Sequence, residues 1–139
     1  MSRISQSQTM ESGSQAPFSI IKNFLLAHLA DNFAEIDLNS LETRLLHTLC
    51  DNRTLLGVII DFSEVITTDR EDLQRLAKML VAIKLLGVRV GLCGINPGIA
   101  ALIVSTRLSL DREIIGSDID DVLIQLEDSH GTLRHQTRI

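Results

Sequence analysis

The sequence predicts an α/β fold, with a mixed sheet of four or five strands and about four helices packed on it. Short apolar runs alternate with longer segments whose apolar residues recur at helical spacing, which indicates a mostly parallel sheet. The first two apolar runs are separated by only two residues. Because this is too short for a crossover helix, the first two strands are expected to pair as an antiparallel hairpin.

The N-terminal half contains the hairpin, one helix and one buried strand. Its predicted strands cover residues 18–21, 24–30 and 55–60. Lys22 and Asn23 form the hairpin turn. Asp37 is predicted to cap a helix that ends near Cys50. The apolar stripe of this helix comprises Leu38, Leu41, Leu45 and Leu49. Residues 55–60 show no polar alternation, so this strand is expected to be buried on both faces.

The C-terminal half continues the alternation of strands and helices. The longest helix is predicted over residues 69–86, and Gly87 ends it. Its apolar positions at helical spacing are Leu73, Leu76, Ala77, Leu80 and Ile83. Further strands are predicted over residues 88–93 and 113–115. Pro97 lies in the first turn of the next helix, and Ser117 or Asp118 caps the last one.

The composition indicates one domain with an extension at each end. The chain has 139 residues, of which 45% are hydrophobic and 22% charged, as in ordinary globular domains. Residues 1–16 are predicted to be a disordered lead, residues 17–127 the folded domain, and residues 128–139 a flexible tail. Neither a secretory signal nor a membrane span is recognisable, so a cytoplasmic protein without membrane association is expected.

The composition also argues against nucleic-acid binding, since the formal net charge is −5 and aromatic residues make up 3%. For catalysis, Cys93 lies at a predicted strand end, but its apolar surroundings predict an inert thiol. Asp61, Glu64 and Asp69 are the acids that would gather into a metal site, although such acids more often cap helices or stay solvated. No catalytic residue, metal or cofactor is therefore expected.

The clearest functional information lies around the strand that ends at Asp61. A polar loop follows that strand, and the longest helix begins directly afterwards. Loops at the carboxyl ends of buried strands are where α/β proteins place their working groups. We therefore predict a docking surface at residues 63–72. Its charged side chains are expected to bind a partner, and they are Glu64, Asp69, Arg70, Glu71 and Asp72.

Three further patterns occur in a fixed order: Gly-Val-Ile-Ile-Asp-Phe-Ser-Glu-Val at residues 57–65, the helix end at residues 84–87, and residues 88–97. Together they resemble the STAS domain of anti-sigma factor antagonists and stressosome proteins. The turn Gly94-Ile-Asn-Pro97 and the opening residues 20–26 are most similar to the stressosome branch. The resemblance covers roughly residues 18–126 and implies a STAS-like sheet with packed helices.

The resemblance implies regulation by partner switching. Members of the family bind an anti-sigma factor or a serine/threonine kinase, and phosphorylation at the start of the helix after the third strand changes that binding. Such partners are therefore expected for this chain. Association with other STAS proteins and formation of a homo-oligomer are also among the expectations.

Both acceptor positions of the family lack a hydroxyl in this sequence. By the resemblance, Asp69 matches the aspartate that precedes the first acceptor, and Arg70 occupies the acceptor position itself. The second acceptor maps by spacing to Leu102. An arginine keeps its positive charge, so it imitates neither state of a phosphorylation switch. The remaining candidate acceptors are Thr68, Thr67 and Ser63.

Two alternative functions stay open at this point. In the first alternative, the chain is a structural, stressosome-like scaffold subunit without a phosphorylation switch. In the second, it is a module that binds a small ligand. In the second case, backbone amides at the helix start near residues 94–98 would hold an anion.

Overall fold

A computed structural model describes residues 18–31, 38–108 and 113–137, with side chains up to residue 128. The strands are β1 (Phe18–Ile21), β2 (Phe24–His28), β3 (Gly57–Asp61), β4 (Arg89–Cys93) and β5 (Ile114–Gly116). The helices are α1 (Leu38–Asp51), α2 (Arg70–Leu85), α3 (Pro97–Ser105) and α4 (Ile119–Thr137). The predicted α/β class, with a mixed sheet and four helices in the described residues, is confirmed.

The five strands lie in the sheet in the order in which they follow along the chain. β1 and β2 pair antiparallel, as the short spacing predicts, and the other neighbouring strands pair parallel. Lys22 and Asn23 form the hairpin turn with φ angles of 50° and 68°. Two residues with positive φ match the right-handed twist of the flanking strands, so they close a hairpin well.

Several element boundaries differ from the predicted ones. β2 ends at His28, β3 covers Gly57–Asp61, and β5 is shifted by one residue to Ile114–Gly116. Residues 128–139 are predicted to be a flexible tail, but α4 continues to Thr137. Helix therefore extends through most of the segment predicted as a tail. Asp37, the predicted cap of α1, lies outside the described residues, and the division into lead, domain and tail stays a prediction.

The sheet separates two apolar cores. Consecutive parallel strands joined by right-handed crossovers place α1, α2 and α3 on the same face. This face holds the larger core, to which β3 contributes Val58 and Ile60. α4 covers the other face, where Ile59 packs with Val122, Leu123 and Leu126. All three β3 residues are fully buried, which confirms that this strand is covered on both faces.

None of the helices in the described part of the chain has the length and apolar character needed to cross a bilayer.

α4 approaches the sheet closely because β4 has a glycine beneath it. A methyl group on Gly91 would overlap Val122 Cγ1 and would lie 3.2 Å from Leu126 Cδ1. Val122 and Leu126 are both fully buried, so neither side chain has free space to move into. The glycine therefore sets the distance between α4 and the sheet.

We predict that Gly91→Ala lowers the free energy of unfolding by about 1–3 kcal/mol, because the added methyl overpacks this contact. Urea denaturation measures the change. Val122→Ala, which removes the overlapping methyl groups, should recover part of the loss when it is combined with Gly91→Ala. If the two single changes simply add in the double variant, the Gly91–Val122 contact does not set the helix position.

Candidate functional site

Three strands end together at one edge of the sheet, here called the carboxyl edge. His28, Asp61 and Cys93 are the last residues of β2, β3 and β4, and the strand register pairs each with its neighbour. The loop predicted to bind a partner leaves β3 at this edge. Its residues 62–69, here called the anchored loop, connect β3 to α2.

The carboxylate of Asp61 fixes the start of the anchored loop. Its Oδ1 accepts hydrogen bonds from the Ser63 amide at 3.0 Å and from Cys93 Sγ at 3.6 Å. Its Oδ2 accepts from Ser63 Oγ at 3.1 Å and contacts His28 Nδ1 at 2.8 Å. Asp61 is only 6% exposed, so these donors replace the water that an ionised carboxylate would otherwise bind.

The same contacts set the ionisation of this cluster. Burial raises the pKa of Asp61, but the hydrogen bonds from Ser63, His28 and Cys93 outweigh it and hold the pKa below its ordinary value of 3.8. Burial and the negative charge of Asp61 together raise the pKa of the Cys93 thiol to about 12. Cys93 therefore stays protonated and donates to the carboxylate, which is the opposite of an activated nucleophile.

A close backbone contact also requires a glycine at this edge. Gly94 has φ of +73°, and a Cβ atom there would lie 2.7 Å from the Ser63 amide nitrogen. A larger residue would therefore push the anchored loop away from β4.

Two further side chains hold the middle of the anchored loop. Asn96 Nδ2 donates to the carbonyl oxygens of Val65 at 3.1 Å and Ile66 at 3.0 Å. Asp31 Oδ1 accepts from the Ile66 amide at 2.6 Å and more weakly from the Thr67 amide at 3.4 Å. The backbone of the loop is thus bound by groups from β3, from the α3 start and from the segment after β2.

The end of the anchored loop is fixed by the cap of α2. Asp69 Oδ1 accepts from the Asp72 amide at 2.9 Å, so Asp69 is the N-cap of the helix. Asp72 is buried, and its burial together with the nearby Asp69 charge raises its pKa. Arg70 and Glu71 are exposed, and Glu71 pairs with Arg75 at 3.2 Å. Of the predicted partner-binding residues, only Asp72 does not present its side chain to solvent.

The candidate hydroxyls differ in accessibility. Ser63 is exposed, although its oxygen is engaged with Asp61. Thr67 is exposed. The Thr68 oxygen is buried and has no hydrogen-bond partner. Beside these threonines lies a surface depression of about 240 Å³. It is lined by Ile66, Thr67, Thr68, Gly98, Ile99 and Leu102, so the two threonines and the second acceptor position share one depression.

The geometry gives little support to an anion at the start of α3. Pro97 has no amide hydrogen, the Ile99 amide donates to Asn96 Oδ1, and the Ala100 amide donates to the Asn96 carbonyl. The acids considered for a metal site are also engaged elsewhere, with Asp61 inside its hydrogen-bond cluster and Asp69 capping α2. The described residues contain no group of three or more His, Cys, Asp or Glu side chains placed to hold a metal.

Sequence reasoning missed three residues that build the site, namely His28, Asp31 and Asn96. Asn96 had a local signal, because a polar residue directly before a proline at the first helical position is a typical N-cap. His28 and Asp31 lie more than 30 residues from the groups they bind in the sequence. No local pattern indicates such a contact.

No protein-family model matches this sequence, and no curated protein matches it either. Solved structures do match. One is a serine-to-glutamate variant of RsbS from Moorella thermoacetica, with a TM-score of 0.74 and 19% identity over 84% of this chain and 97% of the other. A second belongs to the stressosome, described as a signal integration and transduction hub, with a TM-score of 0.74 and 19% identity over 82% and 98% of the two chains.

A third match is a candidate anti-sigma factor antagonist from Thermotoga maritima, with a TM-score of 0.63 and 13% identity over 81% of this chain and 94% of the other. At these identities the likeness establishes the fold. The chain has the STAS fold, and the resemblance drawn from the sequence is confirmed at that level.

We predict that Asp61→Asn lowers the free energy of unfolding at pH 7 by about 1–3 kcal/mol, because buried donors lose a charged acceptor. Since the pKa of Asp61 is lower in the folded state, its contribution is complete above the ordinary value of 3.8 and is lost as the pH falls through the folded pKa. The difference between the wild type and Asp61→Asn should therefore shrink in acid. Urea denaturation at several pH values measures it. The exposed Asp51→Asn is the control, and equal stability of both variants at pH 7 contradicts the prediction.

We also predict different reactivity of the two cysteines, because Cys50 is exposed whereas Cys93 is buried and protonated. A thiol reagent at pH 8 should modify one thiol per native chain, and both of the two cysteines in denaturant. In Cys50→Ser the native signal should disappear. Rapid labelling of native Cys50→Ser contradicts the assignment.

Proposed function

We propose that the chain is a non-enzymatic regulatory protein of the anti-sigma factor antagonist type, which acts by binding another protein through residues 63–72. One observation carries the proposal. The backbone of the anchored loop is fixed by the side chains of Asp61, Asn96 and Asp31, while most of its polar side chains are exposed. A surface whose conformation is fixed before binding loses little entropy when a partner docks.

The exposed charges of residues 63–72 indicate which charges the partner surface should carry. Residues 63–72 expose three acids, Glu64, Asp69 and Glu71, against one base, Arg70, whereas Asp72 is buried. A mainly basic partner surface with an acid opposite Arg70 fits this pattern. The fold is shared with a candidate anti-sigma factor antagonist and with a stressosome chain, so an anti-sigma factor or a serine/threonine kinase in the cytoplasm is the proposed partner.

The arrangement of polar groups supports a binding function over catalysis. The Ser63 hydroxyl donates to the Asp61 carboxylate, and the same carboxylate oxygen contacts the His28 ring. A serine nucleophile would instead donate to the imidazole, which removes its proton. Cys93, the other nucleophile at this edge, has its pKa raised to about 12.

For regulation, we propose phosphorylation of the anchored loop at Thr67 or Thr68. Thr67 is favoured because it is exposed, whereas a kinase reaches the buried Thr68 oxygen only after the loop is displaced. A phosphate at either position lies close to the N-terminus of α2, where the helix dipole favours negative charge, and close to Arg70. A scaffold subunit without any switch is the alternative, since Arg70 and Leu102 offer no hydroxyl at the two acceptor positions.

We predict that Glu64→Lys and Arg70→Glu each weaken partner binding by at least about 1 kcal/mol, because each places a like charge opposite the partner. Quantitative mass spectrometry of proteins captured from the native lysate measures the change. Asp51→Lys and Arg53→Glu are matched controls, since both residues are exposed and lie near the opposite edge of the sheet, Asp51 at the end of α1 and Arg53 in the turn before β3. A captured kinase or anti-sigma factor should be lost with the first pair and kept with the second.

The proposal fails if all four variants recover the same proteins in the same amounts. Phosphate mapping of the recovered bait, with Thr67→Ala and Thr68→Ala, tests the regulation separately. If no phosphate is found on residues 63–68 while the charge variants lose the partner, the scaffold alternative is preferred.

A further inference from the structure

The depression between the anchored loop and α3 is lined by uncharged residues only. It is here called the loop–helix depression. Three of its lining residues are large and apolar, namely Ile66, Ile99 and Leu102. The side chain of Ile66 is 68% exposed, so the loop wall offers apolar surface that is now in contact with water. Covering this surface is favourable, because it removes apolar area from water.

The size of the loop–helix depression restricts what it can hold. Its volume of about 240 Å³ lies below the roughly 300–1,000 Å³ that is usual for pockets of drug-sized ligands. A single side chain of the size of leucine or methionine suits this volume better. An anion is not favoured, because no lining side chain is charged and the Ile99 amide already donates to Asn96 Oδ1.

Both walls of the loop–helix depression are held in place by Asn96. Its Oδ1 accepts from the Ile99 amide at 2.9 Å, and its Nδ2 donates to the Ile66 carbonyl at 3.0 Å. On the loop side, Asp31 Oδ1 also accepts from the Ile66 amide at 2.6 Å. The depression is therefore formed before a partner binds, and little entropy is lost in shaping it.

The charges beside the loop–helix depression indicate what surrounds the entering side chain. Asp69 directly follows Thr68, Glu64 precedes Ile66 by two positions, and both acids are exposed. A lysine or arginine next to an apolar residue in the partner would face these acids while the apolar side chain fills the depression. Aliphatic or aromatic side chains that enter such pockets often dominate the affinity of an interface.

We propose that the loop–helix depression receives one apolar side chain of the partner, from a segment in which basic residues flank it. The inference rests on the proposed function, because Ile66, Thr67 and Thr68 line the depression and also belong to residues 63–72. It adds the chemistry of the segment that the partner presents, and it assigns residues of α3 to the same interface.

Two synthetic peptides test the proposal on the purified, isotopically labelled full chain. The first is acetyl-Lys-Arg-Leu-Lys-Arg-amide, and the second has serine in place of leucine. Amide chemical shifts in NMR spectra report binding as either peptide is added up to about 5 mM, a range suited to a dissociation constant near 1 mM. Both peptides carry the same charge, so a difference between them comes from the central side chain.

The leucine peptide should bind at least about fivefold more tightly than the serine peptide, because only leucine brings apolar surface into the depression. The largest shifts should lie at the amides of Thr67, Gly98 and Leu102. The proposal is overturned if the two peptides bind equally well, if neither binds, or if the largest shifts lie outside the depression.

Ile66→Ser and Leu102→Ser each remove apolar surface from one wall without a change in net charge. Each should weaken the leucine peptide at least about threefold and leave the serine peptide unaffected. Val104→Ser is the matched control, since Val104 is 77% exposed on α3 and does not line the depression. Ile66 is exposed, so folding of Ile66→Ser is expected to be unchanged, and urea denaturation checks both variants. Equal weakening by Val104→Ser and Ile66→Ser contradicts the proposal.

Other occupants of the depression would give different results. Inorganic phosphate at about 20 mM that shifts the Gly98 and Thr67 amides more than the leucine peptide does would indicate an anion site. Shifts at the same amides that depend on protein concentration alone would indicate a second copy of the chain. Either result overturns the proposal.

Failure of this inference can be distinguished from failure of the proposed function. If Glu64→Lys and Arg70→Glu lose the captured partner while the two peptides bind alike, residues 63–72 bind a partner and the depression takes no part. If these charge variants keep every partner, the proposed function fails and the inference fails with it.

Discussion

The structure of the site depends on the hydrogen bonds of one buried carboxylate. Asp61 ends β3, and its two oxygens accept from the neighbouring strand ends and from the loop that follows. An ionised group that is 6% exposed is costly unless donors surround it, so this group forces His28, Ser63 and Cys93 to stay together. The last residues of three strands and the first turn of the anchored loop are thereby joined. The fixed start of the surface proposed at residues 63–72 follows from that arrangement.

The fixed loop and the uncharged helix beside it divide the surface into two chemically different parts. Residues 63–72 carry charges of both signs with acids in excess, which suits a partner of different charge. The exposed side of α3 carries no charged side chain between residues 97 and 105. A charged group that is buried against the uncharged side of α3 would lose its partners in water, so a binding surface that suits residues 63–72 suits this side less well.

The fold was predictable from the sequence because its determinants are local. Two residues between two apolar runs require a hairpin, and an apolar run without alternation at residues 58–60 requires burial on both faces. The cap at Asp69 was predictable from its position before an amphipathic segment. The C-terminal end of α4 was not predictable. After Leu126 apolar residues no longer recur at helical spacing, and Gly131 is a poor helix former. The contacts of Asp61 with His28 and Cys93 were also not predictable from the sequence, because these residues lie 33 and 32 positions away from it.

Asn96 connects the two surfaces physically. Its side-chain oxygen caps α3 at the Ile99 amide, and its nitrogen holds the anchored loop at the Val65 and Ile66 carbonyls. One planar amide group thus fixes the start of the helix and the middle of the loop in a single orientation. A displacement of the loop, such as the one needed to expose the Thr68 oxygen, would break the hydrogen bonds of the Asn96 amide group. The same amide group orders the first turn of α3. The position of the anchored loop and the order at the start of α3 are therefore coupled through Asn96.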